Sequence, residues 1–225
     1  MHELTQLIKS DMKPALGVTE PGAIAFAVST AKSYLTGDVK KVLLRLNSGM
    51  YKNAFTCGIP GSSHVGNIYA AALGAVAGRP EKGLESLADV TEADNAAAER
   101  MVDAGMVEAK MTEITSRIFI EATVTTESGE AVVTIRDSHT NIVRITVNGE
   151  TVLSKEEETA GEAETKPLIH SYTLEQIYEY IDTVDVEEIR FIGDAFRMNY
   201  ELFEEGLNSP RTTYARYLLK KNGGE

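Results

Sequence analysis

The chain has 225 residues, 43% of them hydrophobic, and its 22 basic and 34 acidic side chains give a net charge of −12. This length fits one domain or two closely packed lobes and supports a core without disulfides. The acidic charge opposes binding to phosphate backbones, so we expect no nucleic-acid partner. No apolar run is long enough to cross a membrane, and Met1 to Lys13 lacks the apolar segment of a secretory signal. We therefore expect a cytoplasmic protein without a membrane partner.

Sulfur ligands are scarce. Cys57 is the single cysteine, which excludes an internal disulfide and fits a reducing compartment. An iron–sulfur cluster usually needs three or four thiolates, which this chain alone does not supply. The histidines show no zinc-ligand spacing either. We therefore predict no metal ligands and no cofactor held by this chain alone.

Helices are predicted in the first part of the chain. Residues 3–12 form a short helix, and a second helix runs through the Ala-rich segment Ala23–Leu35. Thr19 is the predicted N-cap of the second helix, and Pro21 suits its first turn because proline tolerates the unpaired N–H positions there.

A strand follows, because Val42, Leu44 and Leu46 alternate with other residues. A glycine-rich loop then leads to a helix at 67–77, and Thr91 with Asp94 forms a capping box that opens another helix. The remaining predicted strands are Arg117–Thr126, Glu130–Arg136, Ile142–Val147 and Val152–Ser154. Ser128-Gly129 and Asn148-Gly149 are hairpin turn signals between them.

The pattern predicts an α+β fold in which both ends of the chain form a helical lobe beside a small antiparallel sheet with helices. The glutamate-rich run from Lys155 to Lys166 is the predicted boundary, and helices follow at 173–183, 187–205 and 210–221. The predicted parts are an N-terminal helical part (1–36), an α/β lobe with hairpins (37–166) and a C-terminal helical part packing back on the first (167–225).

Two glycine-containing segments precede helices, and each has a chemical and a structural explanation. Gly17–Pro21 places backbone N–H groups and partial positive charge where a carboxylate or phosphate binds, or it is simply a capped helix whose dipole Glu20 complements. In Gly58–Gly66 the backbone and serine hydroxyls could bind a small anion and His64 could transfer a proton. The structural alternative is a strand-to-helix loop with a serine cap.

Two further segments lie at predicted strand ends. Ser138-His139-Thr140-Asn141 could present an imidazole and an amide to a substrate, or it is an ordinary polar turn. Lys52-Asn53 supplies a cation and an amide after the first strand and has little specificity alone. No nucleophile elbow, Walker loop or helical HExxH motif is present.

These segments together resemble a known family. Pro14-Ala-Leu-Gly-Val-Thr-Glu-Pro-Gly-Ala-Ile-Ala resembles the opening motif of the PLP-independent iron–sulfur L-cysteine desulfidases, which are related to the α part of bacterial L-serine dehydratases. Further matches follow in the same order: Lys52-Asn53, Ile59-Pro60-Gly61, the helix from Ala70 to Ala75, Gly83-Leu84-Glu85, the segment from Ser138 to Val143, and Arg190-Phe191-Ile192 with Asn199.

The resemblance implies a longer protein with a 4Fe–4S cluster whose open iron site binds the substrate and assists loss of sulfide or water, giving pyruvate and ammonia. It also implies that most cluster cysteines lie in a C-terminal half beyond Glu225. Val18 stands where the family motif has cysteine, and it can neither ligate iron nor act as a base. Cys57 lies in a different motif, so the sequence does not identify it as a replacement.

We therefore predict the N-terminal, substrate-side half of such a lyase, a truncated or split subunit in amino-acid catabolism. It would act with a separate cluster-bearing chain or as a homo-oligomer, and it would be an enzyme only when completed. His139 is the predicted catalytic residue, and a small amino acid would bind at Thr19, Glu20, Lys52, Asn53 and Asn141. The alternative is a non-catalytic, small-acid-binding or regulatory homologue, because Val18 replaces the motif cysteine.

Overall fold

The computed structural model describes residues 1–12, 18–52, 56–113, 118–155, 167–210 and 212–224. The helices are α1 (Glu3–Asp11), α2 (Thr19–Ser33), α3 (Ser48–Lys52), α4 (Gly66–Val76), α5 (Glu92–Asp103), α6 (Leu174–Thr183), α7 (Val186–Ile189), α8 (Phe191–Asn208) and α9 (Tyr214–Lys221). The strands are β1 (Val39–Leu46), β2 (Val107–Met111), β3 (Phe119–Thr126), β4 (Gly129–Arg136), β5 (Ile142–Val147) and β6 (Glu150–Ser154). Short 3-10 turns occur at Pro80–Glu85 and Leu168–Ser171. The predicted α+β class is confirmed.

The chain divides into two compact units. The helical unit comprises Met1–Pro14 with Thr165–Glu225, and the sheet unit comprises Ala15–Glu164. We expected residues 1–36 to form one helical part, whereas the structure assigns α1 to the helical unit and α2 to the sheet unit. The reason is burial, because α2 is apolar around most of its surface and nearly all of Pro21–Ala31 is buried. Most of the predicted boundary run at 155–166 lies outside the described residues.

One six-stranded sheet, in the order β2-β1-β3-β4-β5-β6, organises the sheet unit. β1 and β2 are parallel, and every other neighbouring pair is antiparallel. The two predicted hairpin turns are confirmed by positive φ angles of 135° at Gly129, 51° at Asn148 and 85° at Gly149. β2 was not predicted, although its short sequence Val-Glu-Ala-Lys-Met alternates apolar and charged residues.

The helices of the sheet unit cover one face of the sheet. β3 alternates strictly between buried and partly exposed positions, as a strand with one covered face does. α2 packs on β3 and β4, and α4 packs on β1, β2 and α5. The core between these layers is built from small and branched side chains, including Ile24, Val28, Leu44, Leu73 and Ile120.

The contact between α2 and α4 is unusually close. A Cβ on Gly74 of α4 would lie 2.8 Å from the Cα and carbonyl oxygen of Ala25 in α2. One turn further along, a Cβ on Gly78 would lie 2.7 Å from the Cβ of Ser29. Since both contacts advance by four residues in each segment, α2 and α4 run in the same direction, and their N-termini lie at the same end.

The helical unit joins the start of the chain to its last helices. Thr5 of α1 shares a 2.9 Å hydrogen bond with the hydroxyl of Tyr180 in α6, and Tyr172 donates to Glu3 over 2.9 Å. Lys9 lies 5.1 Å above the ring of Phe191 in α8. Throughout the residues that the structure describes, no helix has the length and apolarity needed to span a membrane.

Replacing Gly74 with alanine tests the close helix contact. The added Cβ forces α2 and α4 apart, and we expect the free energy of unfolding to fall by about 1–3 kcal/mol in urea titrations. Gly49→Ala is the matched control, because a Cβ there meets nothing within 4 Å and alanine favours a helix by up to ~1 kcal/mol. Equal stability of the two variants would contradict the described packing.

Candidate functional site

The capping of the α2 N-terminus differs from the capping predicted from the sequence. Val18, with an extended backbone and a side chain that is 49% exposed, is the N-cap residue, and no side chain caps this end. Thr19 is the first helical residue, so its predicted N-cap role is wrong. Its Oγ1 instead lies 3.2 Å from Nε2 of His139. The hydroxyl that would have capped α2 is therefore used to hold an imidazole 120 residues away in sequence.

The N-terminus of α4 also lacks a side-chain cap. Its N-cap residue is Val65, so the predicted serine cap is wrong. The preceding loop is closed by Gly66 N donating to Cys57 O over 2.7 Å and by a bridge between Gly58 and Val65. The ring of His64 stacks on Tyr69 with centroids 4.1 Å apart. These contacts give His64 a structural role in the loop before α4.

Helix geometry places the two uncapped ends side by side. Thr19 lies six residues before Ala25, and Gly66 lies eight residues before Gly74, the two positions that touch. At about 1.5 Å per residue the two helix starts differ by only about 3 Å along the helix axes. Since unpaired N–H groups give each helix start a partial positive charge, the two starts reinforce one another.

Asn67 in the first turn of α4 links this end to α3. Its Nδ2 donates to the carbonyl oxygen of Met50 over 2.7 Å, and the residue is fully buried. Its Oδ1 is buried without a hydrogen-bond partner. The bond holds α3, which ends at Lys52, against the start of α4.

His139 lies in the turn between β4 and β5. Asp137 opens the turn with a φ of 66°, and Asn141 closes it by donating from Nδ2 to the carbonyl oxygen of Arg136 over 3.2 Å. Asn141 Oδ1 accepts from Lys155 Nζ over 3.5 Å. The described contacts of Asn141 therefore fix the turn that carries His139.

Burial lowers the pKa of His139, and the negative charge of Glu20 opposes this shift without cancelling it. The imidazole is therefore neutral at physiological pH, since its pKa lies below the usual value of about 6.5. A neutral imidazole has one nitrogen that can accept a proton. The arrangement suits a general base whose ring is oriented by Thr19.

Cys57 is a residue that sequence reasoning missed. Burial, reinforced by the charge of Glu20, raises the pKa of its thiol, while a hydrogen bond with Thr56 and the charge of Lys52 act to lower it. Glu20 therefore acts on both Cys57 and His139, and Lys52 acts on Cys57. The sequence contained one signal for this residue, because Cys57 follows Lys52, a predicted site residue, by five positions.

The structure thus places Thr19, Glu20 and His139 at the start of α2, and the charges of Glu20 and Lys52 both act on Cys57. Asn53 lies outside the described residues, and Asn141 lies in the same turn as His139. Among the residues with described positions, no group of three or more histidine, cysteine, aspartate or glutamate side chains could hold a metal ion.

Comparison with known proteins identifies homologues whose names state no function. No protein-family model matches the chain. It is 34% identical to a UPF0597 protein of Dichelobacter nodosus over 226 residues, which is 99% of this chain and 52% of that protein. It is 35% identical to a UPF0597 protein of Caldanaerobacter subterraneus subsp. tengcongensis over 206 residues, 91% of this chain and 49% of that protein. A UPF0597 protein of Clostridium botulinum (strain Okra / Type B1) is 34% identical over 220 residues, 97% of this chain and 51% of that protein.

The chain is therefore homologous to UPF0597 proteins, and it spans about half the length of the curated relatives it matches. These comparisons name no family beyond UPF0597, so the resemblance to L-cysteine desulfidases stays a prediction.

The charges around Cys57 predict opposite effects of two substitutions on thiol reactivity. Glu20→Gln removes a charge that raises the pKa of Cys57, so the thiolate fraction and the rate with Ellman's reagent rise a few-fold. Lys52→Gln removes a charge that lowers the pKa, so the rate falls. Cys57 is the single cysteine, so the signal is unambiguous. In urea the three proteins should react alike, and parallel changes in the folded variants would contradict the arrangement.

The lowered pKa of His139 predicts a pH dependence of stability. Below about pH 6.5 the unfolded chain binds a proton at this position more readily than the folded chain, so acidification through the folded-state pKa destabilises the fold. In His139→Gln this part of the dependence disappears, and the urea midpoint should fall less between about pH 7 and pH 5. His170→Gln, at an exposed position, is the control. An identical pH profile for wild type and His139→Gln would contradict the described burial.

Proposed function

We propose that this chain forms the substrate-binding half of a lyase that eliminates water or sulfide from a small α-amino acid, as L-serine dehydratases and L-cysteine desulfidases do. The 3.2 Å contact between Thr19 Oγ1 and His139 Nε2 carries the proposal. It joins two segments that resemble separate motifs of that family and that no local constraint would bring together. The homology to UPF0597 proteins is compatible with this function but does not specify it.

The start of α2 has the charges that an amino acid requires. The substrate carboxylate binds at the adjacent uncapped starts of α2 and α4, where N–H groups and helix dipoles favour an anion. Lys52 adds a positive charge nearby, since it acts on the same thiol as Glu20. Glu20 offers a carboxylate for the substrate ammonium group.

His139 accepts the proton from the substrate Cα. Burial keeps its imidazole neutral, and Thr19 fixes the ring. Loss of this proton together with the hydroxide or sulfide leaving group on Cβ gives an aminoacrylate. Its imine tautomer takes up water and releases ammonia and pyruvate, so the atoms of the overall elimination balance.

The described residues do not fit the 4Fe–4S cluster that the resemblance implies. Cys57 is the single thiol, and its raised pKa keeps it protonated rather than as the thiolate that iron binds. Val18, at the position of the motif cysteine, has no donor atom. We therefore assign the cluster to the polypeptide that corresponds to the unmatched part of the relatives' length.

The surface of the helical unit supports a partner of this kind. Large apolar side chains are unusually exposed on α6 and α8, with Tyr178 at 65%, Phe196 at 71% and Leu202 at 62%. On α8 the rings of Phe196 and Tyr200 stack with centroids 6.1 Å apart, so part of this exposed apolar surface is continuous, and such surfaces are typical of interfaces. The proposed occupant is the same unmatched polypeptide, and a second copy of this chain is the alternative that the experiment below distinguishes.

One observation favours a non-catalytic alternative. Val18 presents an exposed apolar side chain at the start of α2, and it can neither bind a metal nor transfer a proton. In that case the same charged residues at the start of α2 bind a small amino or hydroxy acid without converting it.

Co-expression tests the proposed function. The full chain is expressed with the unmatched half of the Dichelobacter nodosus relative, reconstituted anaerobically with iron and sulfide, and assayed for pyruvate from L-serine and L-cysteine. We expect co-purification, turnover, and a loss of roughly 10²–10⁴ in kcat on His139→Ala, because general-base catalysis contributes that much. The exposed His170→Ala variant should retain wild-type kcat.

The outcomes separate the hypotheses. Unchanged turnover in His139→Ala would remove this residue from the chemistry. Binding of an amino acid without pyruvate formation would favour the non-catalytic alternative. A stable dimer of the chain that excludes the second half would overturn the proposed partner.

A further inference from the structure

The face of the sheet opposite the helices contains a depression that the amino-acid site does not use. Its volume is about 210 Å³, and it is lined by Glu121, Val132, Thr134, Arg136, Arg144 and Thr146. These residues alternate with residues such as Ile120, Val133 and Ile145, which belong to the core on the other face of the sheet. The depression therefore lies across β3, β4 and β5 on the side of the sheet away from Thr19.

Strand register fixes the charges around this depression. Arg45 pairs with Glu121, Glu121 with Thr134, and Thr134 with Arg144, which makes one row across four strands. Neighbouring members of such a row have Cα atoms about 5 Å apart. Arg136 lies two residues beyond Thr134 on the same face of β4. Two guanidinium groups therefore flank the hydroxyl of Thr134.

The arginines differ in how they are held. The Arg136 guanidinium lies 5.6 Å from the ring centroid of Phe119, the residue opposite it in β3. Arg144 is exposed on β5 and forms no ion pair with a carboxylate in the described part of the chain. The one carboxylate in the lining, Glu121, lies 3.5 Å from Arg45, which compensates its charge. The lining thus contains two arginines and one glutamate, on a chain with a net charge of −12.

Hydrogen-bond donors complete the lining. Thr134 is only 6% exposed and lies at the base of the depression. Thr146, which belongs to the next row on β5, places a second hydroxyl in the lining. Arginine presents several N–H groups in a planar fork that matches the oxygens of phosphate and carboxylate.

We propose that this depression is a binding site for a small oxyanion, held between Arg136 and Arg144 with Thr134 beneath it. The volume is below the roughly 300–1,000 Å³ of sites for drug-sized molecules, so the ligand is a small metabolite or its anionic group. Phosphate and carboxylate groups share the required chemistry. The inference is independent of the proposed lyase function, because it uses none of the residues around the start of α2.

Calorimetric titration of the full chain tests this site, with inorganic phosphate and with malonate as separate probes at low ionic strength. We expect saturable binding of one equivalent of at least one probe at millimolar concentration. Arg144→Gln should weaken it about tenfold or more, since a hydrogen bond to a charged group is lost. The tighter probe identifies a phosphate or a dicarboxylate as the ligand class.

Two further variants make the test decisive. Arg100→Gln removes the same charge from an exposed position on α5 in the same unit and should leave the affinity unchanged. Thr134→Val removes the hydroxyl at nearly constant volume and should weaken binding a few-fold while circular dichroism stays native. The proposal is overturned if neither probe binds saturably, or if Arg100→Gln weakens binding as much as Arg144→Gln.

Discussion

The close parallel packing of α2 on α4 determines where the candidate site forms. Gly74 lets the backbone of α4 approach Ala25 without a Cβ between them, and this contact fixes the relative heights of the two helices. A larger residue would separate the helices and shift their starts. Because the start of α2 meets the turn after β4, the hydrogen bond between Thr19 and His139 depends on a glycine contact two turns away.

The parts of the fold that the sequence predicted are those with local signals. The hairpins from β3 to β6 were predicted correctly, because strand alternation and turn sequences such as Asn148-Gly149 are patterns of a few neighbouring residues. The capping box of Thr91 and Asp94 is confirmed for the same reason. The position of β2 and the assignment of α2 to the sheet unit depend on packing between distant segments, which no local pattern encodes.

The candidate site was predictable as a set of segments but not as an arrangement. Sequence motifs singled out Thr19, Glu20, Lys52 and His139, and the structure joins Thr19 to His139 by a hydrogen bond. Thr19 was assigned a capping role because threonine is a favoured N-cap, yet a long-range bond to His139 takes its hydroxyl. Cys57 was set aside because it lies in a different motif from Val18, although the charges of Glu20 and Lys52 both act on its thiol.

Burial and charge divide the groups of this site into two kinds. Desolvation outweighs the charge of Glu20 at His139 and keeps the imidazole neutral, and it acts with Glu20 at Cys57 to keep the thiol protonated. Neither group therefore adds charge near neutral pH, so the formal side-chain charges of this group are those of Glu20 and Lys52, one of each sign. The proposed amino-acid ligand also carries one charge of each sign, and in that proposal its carboxylate binds at the helix starts as well as at Lys52. The same balance leaves an unprotonated nitrogen on His139, which is the chemical requirement for the base that the proposal assigns to it.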